Sequence, residues 1–327
     1  MSSAVTWMGR WQVPLYLGAI MLAGIVGLAA PAAGPPLART INPVLGLLLY
    51  ATFLGVPFAA IGAAVRDLRF LATVLVLNFV IVPAVVFGLS RFVSADEAVL
   101  LGVLLVLLTP CIDYVIVFSG IAGGASARLL AAAPRLMLGQ ILLLPVYLLL
   151  FVGPDTVGLI ELAPFGEAFG FLIVIPLAAA GLTQWWARHS RAGQVLKETA
   201  LGLMVPLMML TLAVVVASQI AGIGSQLSTL LLVVPIYVAF LVVMVPLGIL
   251  AARFARLDVP ASRAVVFSGA TRNSLVVLPL ALALPEPLEI AALVVVTQTL
   301  VELVGMVVYV RLIPRLMPAR PAASPWV

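Results

Sequence analysis

Ten times along this chain the sequence runs apolar for roughly 17–25 residues, the length an α-helix needs to cross a bilayer. The runs are Gln12–Ala30, Pro43–Ala63, Phe70–Leu89, Val99–Ala122, Leu129–Val152, Ala168–Ala187, Thr199–Ile220, Leu230–Ala252, Pro260–Leu284 and Leu288–Ile313. No polar stretch between them is large enough for a soluble domain. With 64% hydrophobic and 9% charged residues and a mean hydropathy of +1.28, the chain has no other solvent to fold in. In lipid every backbone N–H and C=O must be satisfied internally, and long apolar runs do this as helices. The expectation is an all-α polytopic membrane protein. A single cysteine rules out a disulfide framework.

The charges set the orientation. With the N-terminus inside, Arg10, Arg66, Arg69, Arg128, Arg188, Arg191, Lys197, Arg253, Arg256, Arg263, Arg311, Arg315 and Arg320 face the cytoplasm, and only Arg39 and Arg91 face out. Cytoplasmic loops collect Lys and Arg in this way. The sequence pI near 9.9 is therefore a sign of topology and not of a nucleic-acid partner. Asp96, Glu97, Asp155, Glu161, Glu167, Glu286 and Glu289 gather on the opposite side. Ala29-Ala30-Pro31-Ala32-Ala33 resembles a cleavage region, but Arg10 is a thin positive flank and the apolar core is long, so the first run reads as a span. The expected arrangement has both termini cytoplasmic in a plasma membrane, the inner membrane of a bacterium. Two five-helix halves, 12–152 and 168–313, insert with opposite orientations, and 314–327 forms a cytoplasmic tail.

Two runs are interrupted. The fourth carries Thr109-Pro110-Cys111-Ile112-Asp113-Tyr114 at its middle. Thr109 as a cap and Pro110 as a first helical residue suggest half-helices of about Val99–Leu108 and Pro110–Ala122. The ninth carries Ser268-Gly269-Ala270-Thr271-Arg272-Asn273-Ser274. Irregular backbone at depth is tolerated only inside protein or beside a cavity. Breaks at matching places in two inverted halves point to a carrier with its binding site at the midplane. A channel would need a filter-like repeat or ring-forming motif, and none is visible. Four charges lie within spans and more than a turn from the nearest loop: Asp113, Arg135, Arg272 and Glu302. Each is costly there unless paired or wetted, and such residues mark function or internal ion pairs.

Thr109-Pro110-Cys111 in the fourth span, followed by Ala122-Gly123-Gly124, resembles the arsenite permeases of the arsenical-resistance-3 family, within the bile acid/sodium symporter superfamily. The ninth-span run Ser268–Asn273 and Val301-Glu302 resemble further segments of that family. The resemblance implies a ten-helix fold of two inverted repeats. Its core domain is spans three to five and eight to ten, where the discontinuous fourth and ninth helices cross; its panel domain is spans one, two, six and seven. It also implies efflux of arsenite or antimonite in exchange for protons, with Cys111 matching the family's fourth-span cysteine. Two positions depart from the pattern. Leu275 and its neighbours stand where a glutamate is usual, and Asp113 stands among residues that are usually small and uncharged.

Arsenite at neutral pH is mostly an uncharged, thiophilic trihydroxide. One thiol gives a weak, reversible contact suited to a carrier, while a free cysteine can equally be a small buried hydrophobe. The expected substrate-binding set is Cys111, Thr109, Ser268, Thr271 and Asn273; the expected coupling charges are Asp113, Arg272, Glu302 and Arg135, with protons as coupling ion. Asp113 could titrate during transport or form a permanent ion pair with Arg272. The alternative is sodium- or proton-coupled transport of a small organic anion, for which Arg272 would be the receptor. Pro260–Gly269 holds no Glu or Gln oxygens for a sodium cage. No cofactor, metal site or enzymatic constellation is expected, and a sensor subunit would lack an output domain.

Overall fold

The computed structural model describes residues 3–55, 67–112, 114–152, 170–285 and 288–318. In chain order the helices are α1 (Ser3–Ala29), α2 (Gly34–Gly55), α3 (Leu68–Val76), α4 (Val82–Ser90), α5 (Glu97–Leu107), α6 (Tyr114–Ile121), α7 (Ser126–Val152), α8 (Ile175–Ala187), α9 (Arg191–Gly202), α10 (Met204–Phe254), α11 (Val259–Ala270), α12 (Ser274–Leu282) and α13 (Ile290–Leu316). Among the described residues, five helical stretches are each long and apolar enough to cross a membrane, or six if α9 and the adjoining Met204–Ser218 of α10, bent against each other, form one. This is a multi-pass, all-helical membrane protein.

The helix ends on the arginine-rich side are organised by caps. Asp67 accepts from Phe70 N (3.1 Å) at the start of α3, and Asp258 accepts from Ala261 N (2.8 Å) at the start of α11. Arg128 bridges both carboxylates, at 3.1 and 2.8 Å, so one guanidinium registers the starts of the third and ninth spans against the fifth. Arg263 donates to Ala122 O (2.8 Å) and Met317 O (2.8 Å), covering the last carbonyls of two helices that end side by side. Between them Gly123 has a φ of +69°, the left-handed cap that glycine makes at least cost.

The third span is not a uniform helix. A π-turn, Leu77–Ile81, joins α3 to α4. Pro83 has no N–H to return to Phe79 O, and the Tyr147 hydroxyl takes that carbonyl instead at 2.6 Å. The turn sets Asn78 on the buried side, fully inaccessible.

Two expected spans are drawn differently. The run Thr199–Ile220 is bent by 45° at Leu203, so Thr199–Gly202 belongs to the short helix α9. Nor does a loop separate it from Leu230–Ala252, because helical bonding runs on through α10 for 51 residues. A straight helix of that length would be about 76 Å long. Yet Thr211 lies beside Ser274 and Gly248 lies against Val266, on the same interrupted span. The chain therefore turns back within α10. The reversal agrees with the expected break between the two runs; the continuous helical bonding was not expected, and Ala221–Thr229 offers no proline to end the helix.

α1, α2, α8 and the first limb of α10 pack together, and the second limb of α10 packs with α11 and α13. Tyr237 (to Val294 O, 3.0 Å) and Tyr309 (to Leu241 O) bond that second limb to α13. Gly102 of α5 lies so close to α13 that a Cβ would stand 2.8 Å from Val294. This contact seats the fourth span directly on the helix that carries Glu302.

Candidate functional site

The two interruptions meet. Cys111 N donates to Thr271 O (3.1 Å), Asn273 N donates to Thr109 O (2.8 Å), and Pro110 and Arg272 pair as an isolated antiparallel bridge. The fourth-span helix stops at Leu107 and resumes at Tyr114; the ninth stops at Ala270 and resumes at Ser274. Each break frees backbone groups that lipid cannot satisfy, and each supplies partners to the other.

The local reading of Thr109 needs correction. Its hydroxyl donates back to Leu105 O and Val106 O, both at 3.0 Å, and so closes the end of α5. It does not cap a second half-helix starting at Pro110, because that helix begins at Tyr114. Once Pro110 is extended to pair with Arg272, its preset φ serves the bridge and not a helical turn.

Arg272 is buried completely. Its Nη2 donates to Asn78 Oδ1, Ser268 O and Gly269 O, each at 2.8 Å, and its Nη1 donates to Leu107 O at 3.3 Å. Its guanidinium carbon lies 5.5 Å from the centre of the Phe240 ring. The three carbonyls end α11 and α5, so the cation sits where two helix C-termini place partial negative charge. These bonds direct the guanidinium at protein oxygens in this conformation.

Glu302 occupies the opposite pole. Its Oε2 accepts from Arg272 N at 2.8 Å and from Gln298 Nε2. The carboxylate thus lies two residues ahead of α12, at an N-terminus whose dipole favours an anion. The crossing separates charge by helix polarity: cation at the C-terminal ends, anion at an N-terminal end.

The remaining candidates divide. Cys111, Ser268, Thr271 and Asn273 are all buried at the crossing. Ser268 Oγ accepts from Asn78 Nδ2 (3.0 Å), Thr271 Oγ1 donates to Phe267 O (2.8 Å), and Asn273 Oδ1 accepts from Val276 N (3.4 Å). Arg135 is partly buried in α7, where Nη1 donates to Ala131 O one turn back (3.4 Å). Asp113, and with it the expected pair with Arg272, lies outside the described residues.

Sequence reasoning missed Asn78, although an amide within twenty apolar residues was a signal. It also missed Thr211 and Thr299. Thr299 donates to Ser274 Oγ (2.7 Å), and with Thr211 it lines a gap of about 10 Å³ between the first limb of α10 and the crossing. That space holds at most about one water. No cargo fits there without the two helix groups moving apart.

Residues 42–226, more than half of the chain, match the sequence model of the Sodium Bile acid symporter family. The matched stretch includes the fourth-span break and ends before the ninth, so Arg272 and Glu302 lie beyond it. No curated protein matches the chain.

Proposed function

Because the chain belongs to the Sodium Bile acid symporter family, and is thus a transporter of symporter type, we propose that it is a secondary active carrier exporting arsenite or antimonite in exchange for protons. The observation that carries this reading is the crossing, which places the chain's one thiol at the meeting of two interrupted helices. An uncharged arsenic trihydroxide needs a sulfur and hydroxyl or amide partners, and no fixed cation. Thr271 and Asn273 flank Cys111 across the bridge. An organic anion would need a free positive group, while the Arg272 donors described here are directed at carbonyls and Asn78. That difference favours the neutral cargo.

The thiol is fully buried in this conformation. Access therefore requires the helices α1, α2, α8 and the first limb of α10 to move against the rest, as alternating access demands. Proton coupling is assigned to the intramembrane carboxyls Asp113 and Glu302, since a carboxyl moved between apolar and paired surroundings gains and loses its proton. Sodium, from which the family takes its name, does not fit the crossing oxygens, because the Arg272 guanidinium lies among them.

Everted vesicles test the reading, with arsenite accumulation followed under a pH gradient and, separately, a sodium gradient. Accumulation is expected with the first only. Cys111→Ser should abolish it while leaving the protein inserted, because oxygen does not replace sulfur toward trivalent arsenic. Asp113→Asn should leave any remaining flux indifferent to the pH gradient. Unchanged export by Cys111→Ser would make that residue packing and remove the substrate assignment.

A further inference from the structure

Arg272 Nη2 is surrounded by more acceptors than it has hydrogens. A guanidinium NH₂ carries two N–H bonds, yet three oxygens stand 2.8 Å away: Asn78 Oδ1, Ser268 O and Gly269 O. Leu107 O adds a fourth at Nη1, 3.3 Å away. Directional hydrogen bonding does not call for a third acceptor on two protons. Convergent oxygens do suit a compact positive charge, which hard cations provide and which unwound carbonyls at half-helix C-termini coordinate in carriers. The oxygens come from three separate elements, α5, α11 and the π-turn, so their convergence is a property of the assembled crossing.

We infer that the Arg272 guanidinium is a tethered cation that permanently fills an oxygen cage at the crossing, so this carrier holds its crossing together without sodium. The inference rests on the carrier reading for its meaning in transport, but the cage itself is a matter of binding. A tethered charge cannot dissociate, so this cage neither gains nor loses an ion during the cycle. The coupling ion must act elsewhere. Removing the side chain leaves the carbonyls of Leu107, Ser268 and Gly269 and the Asn78 amide facing a space without the guanidinium. That space should then accept a free cation.

The test is thermal unfolding of the full-length protein in detergent, in matched choline chloride, sodium chloride or choline chloride with millimolar guanidinium. The wild type is expected to melt at one temperature in all three. Arg272→Ala is expected to melt lower in choline and to recover by at least about 2–4 °C in sodium or guanidinium. Arg272→Gln, which fills more of the space and adds an amide oxygen, should show the same sodium response and serves if the alanine variant is too weak to purify. A sodium-specific shift in the wild type that Asn78→Ala removes would overturn the inference, because the cage would then take an ion beside the arginine. So would variants that melt like the wild type in choline, or that stay unfolded even with added cation. Melting needs no cargo, so a failure to transport arsenite would count against the substrate reading and leave the cage result standing.

Discussion

The fourth-span break is closed by main-chain bonds, Cys111 N to Thr271 O and Asn273 N to Thr109 O, and by a threonine hydroxyl turned back on its own helix. The ninth-span break shares those bonds and adds a guanidinium in a nest of oxygens, a carboxylate on the Arg272 amide, and the amides of Asn78 and Gln298. Among the described residues the fully buried charged groups gather at the ninth-span break, and Arg272 reaches across to Leu107 O on the fourth. Buried charges with several partners are expensive to rearrange, because each lost contact leaves an unsatisfied group. The ninth-span break is therefore the costlier of the two to rearrange. The fourth carries Cys111, the cargo contact of the proposed reading.

The largest expected effect that separates the two breaks is at Glu302. Glu302→Ala leaves the Arg272 N–H and the Gln298 amide unmatched beside a buried cation, and should destabilise the fold by about 3–5 kcal/mol. Glu302→Gln keeps an acceptor and should cost clearly less. Thermal unfolding of the two in detergent checks the order; equal losses would mean that shape and not charge holds this pole. Asn78→Ala comes next, at about 2 kcal/mol, since it withdraws one acceptor from Arg272 and one donor from Ser268. Denaturant unfolding measures it, and a neutral result would remove the third span from the cage. The smallest effect belongs to the other break. Thr109→Val conserves shape and loses only a back-bonded hydroxyl, so a change of about 1 kcal/mol or less is expected. A Thr109→Val loss as large as that of Glu302→Ala would erase the contrast between the breaks.

The same contrast marks how far the sequence could be read. Both interruptions were legible. A Thr-Pro within an apolar run and a cluster of glycine and polar residues within another have few solutions in lipid, and a break is the cheapest. Their meeting rested on position in the two halves. The reversal inside α10 was legible too, since Gly222, Gly224, Ser225, Gln226 and Ser228 interrupt the apolar run between Ile220 and Leu230; what was not legible is that helical bonding continues through it.

Sequence alone determined the class of protein, the orientation bias of its loops, and which residues would be costly in the membrane. These follow from transfer free energies, which depend on composition within a single run. Only the tertiary structure decided what the costly residues do. A long arginine side chain can reach a carboxylate, a cavity or a set of carbonyls, and its choice depends on acceptors that folding brings near. Two of the Arg272 partners, Leu107 and Asn78, lie 165 and 194 residues away along the chain. Contacts at that separation exist only after the helices have packed, so the role of Arg272 is set by the assembled crossing.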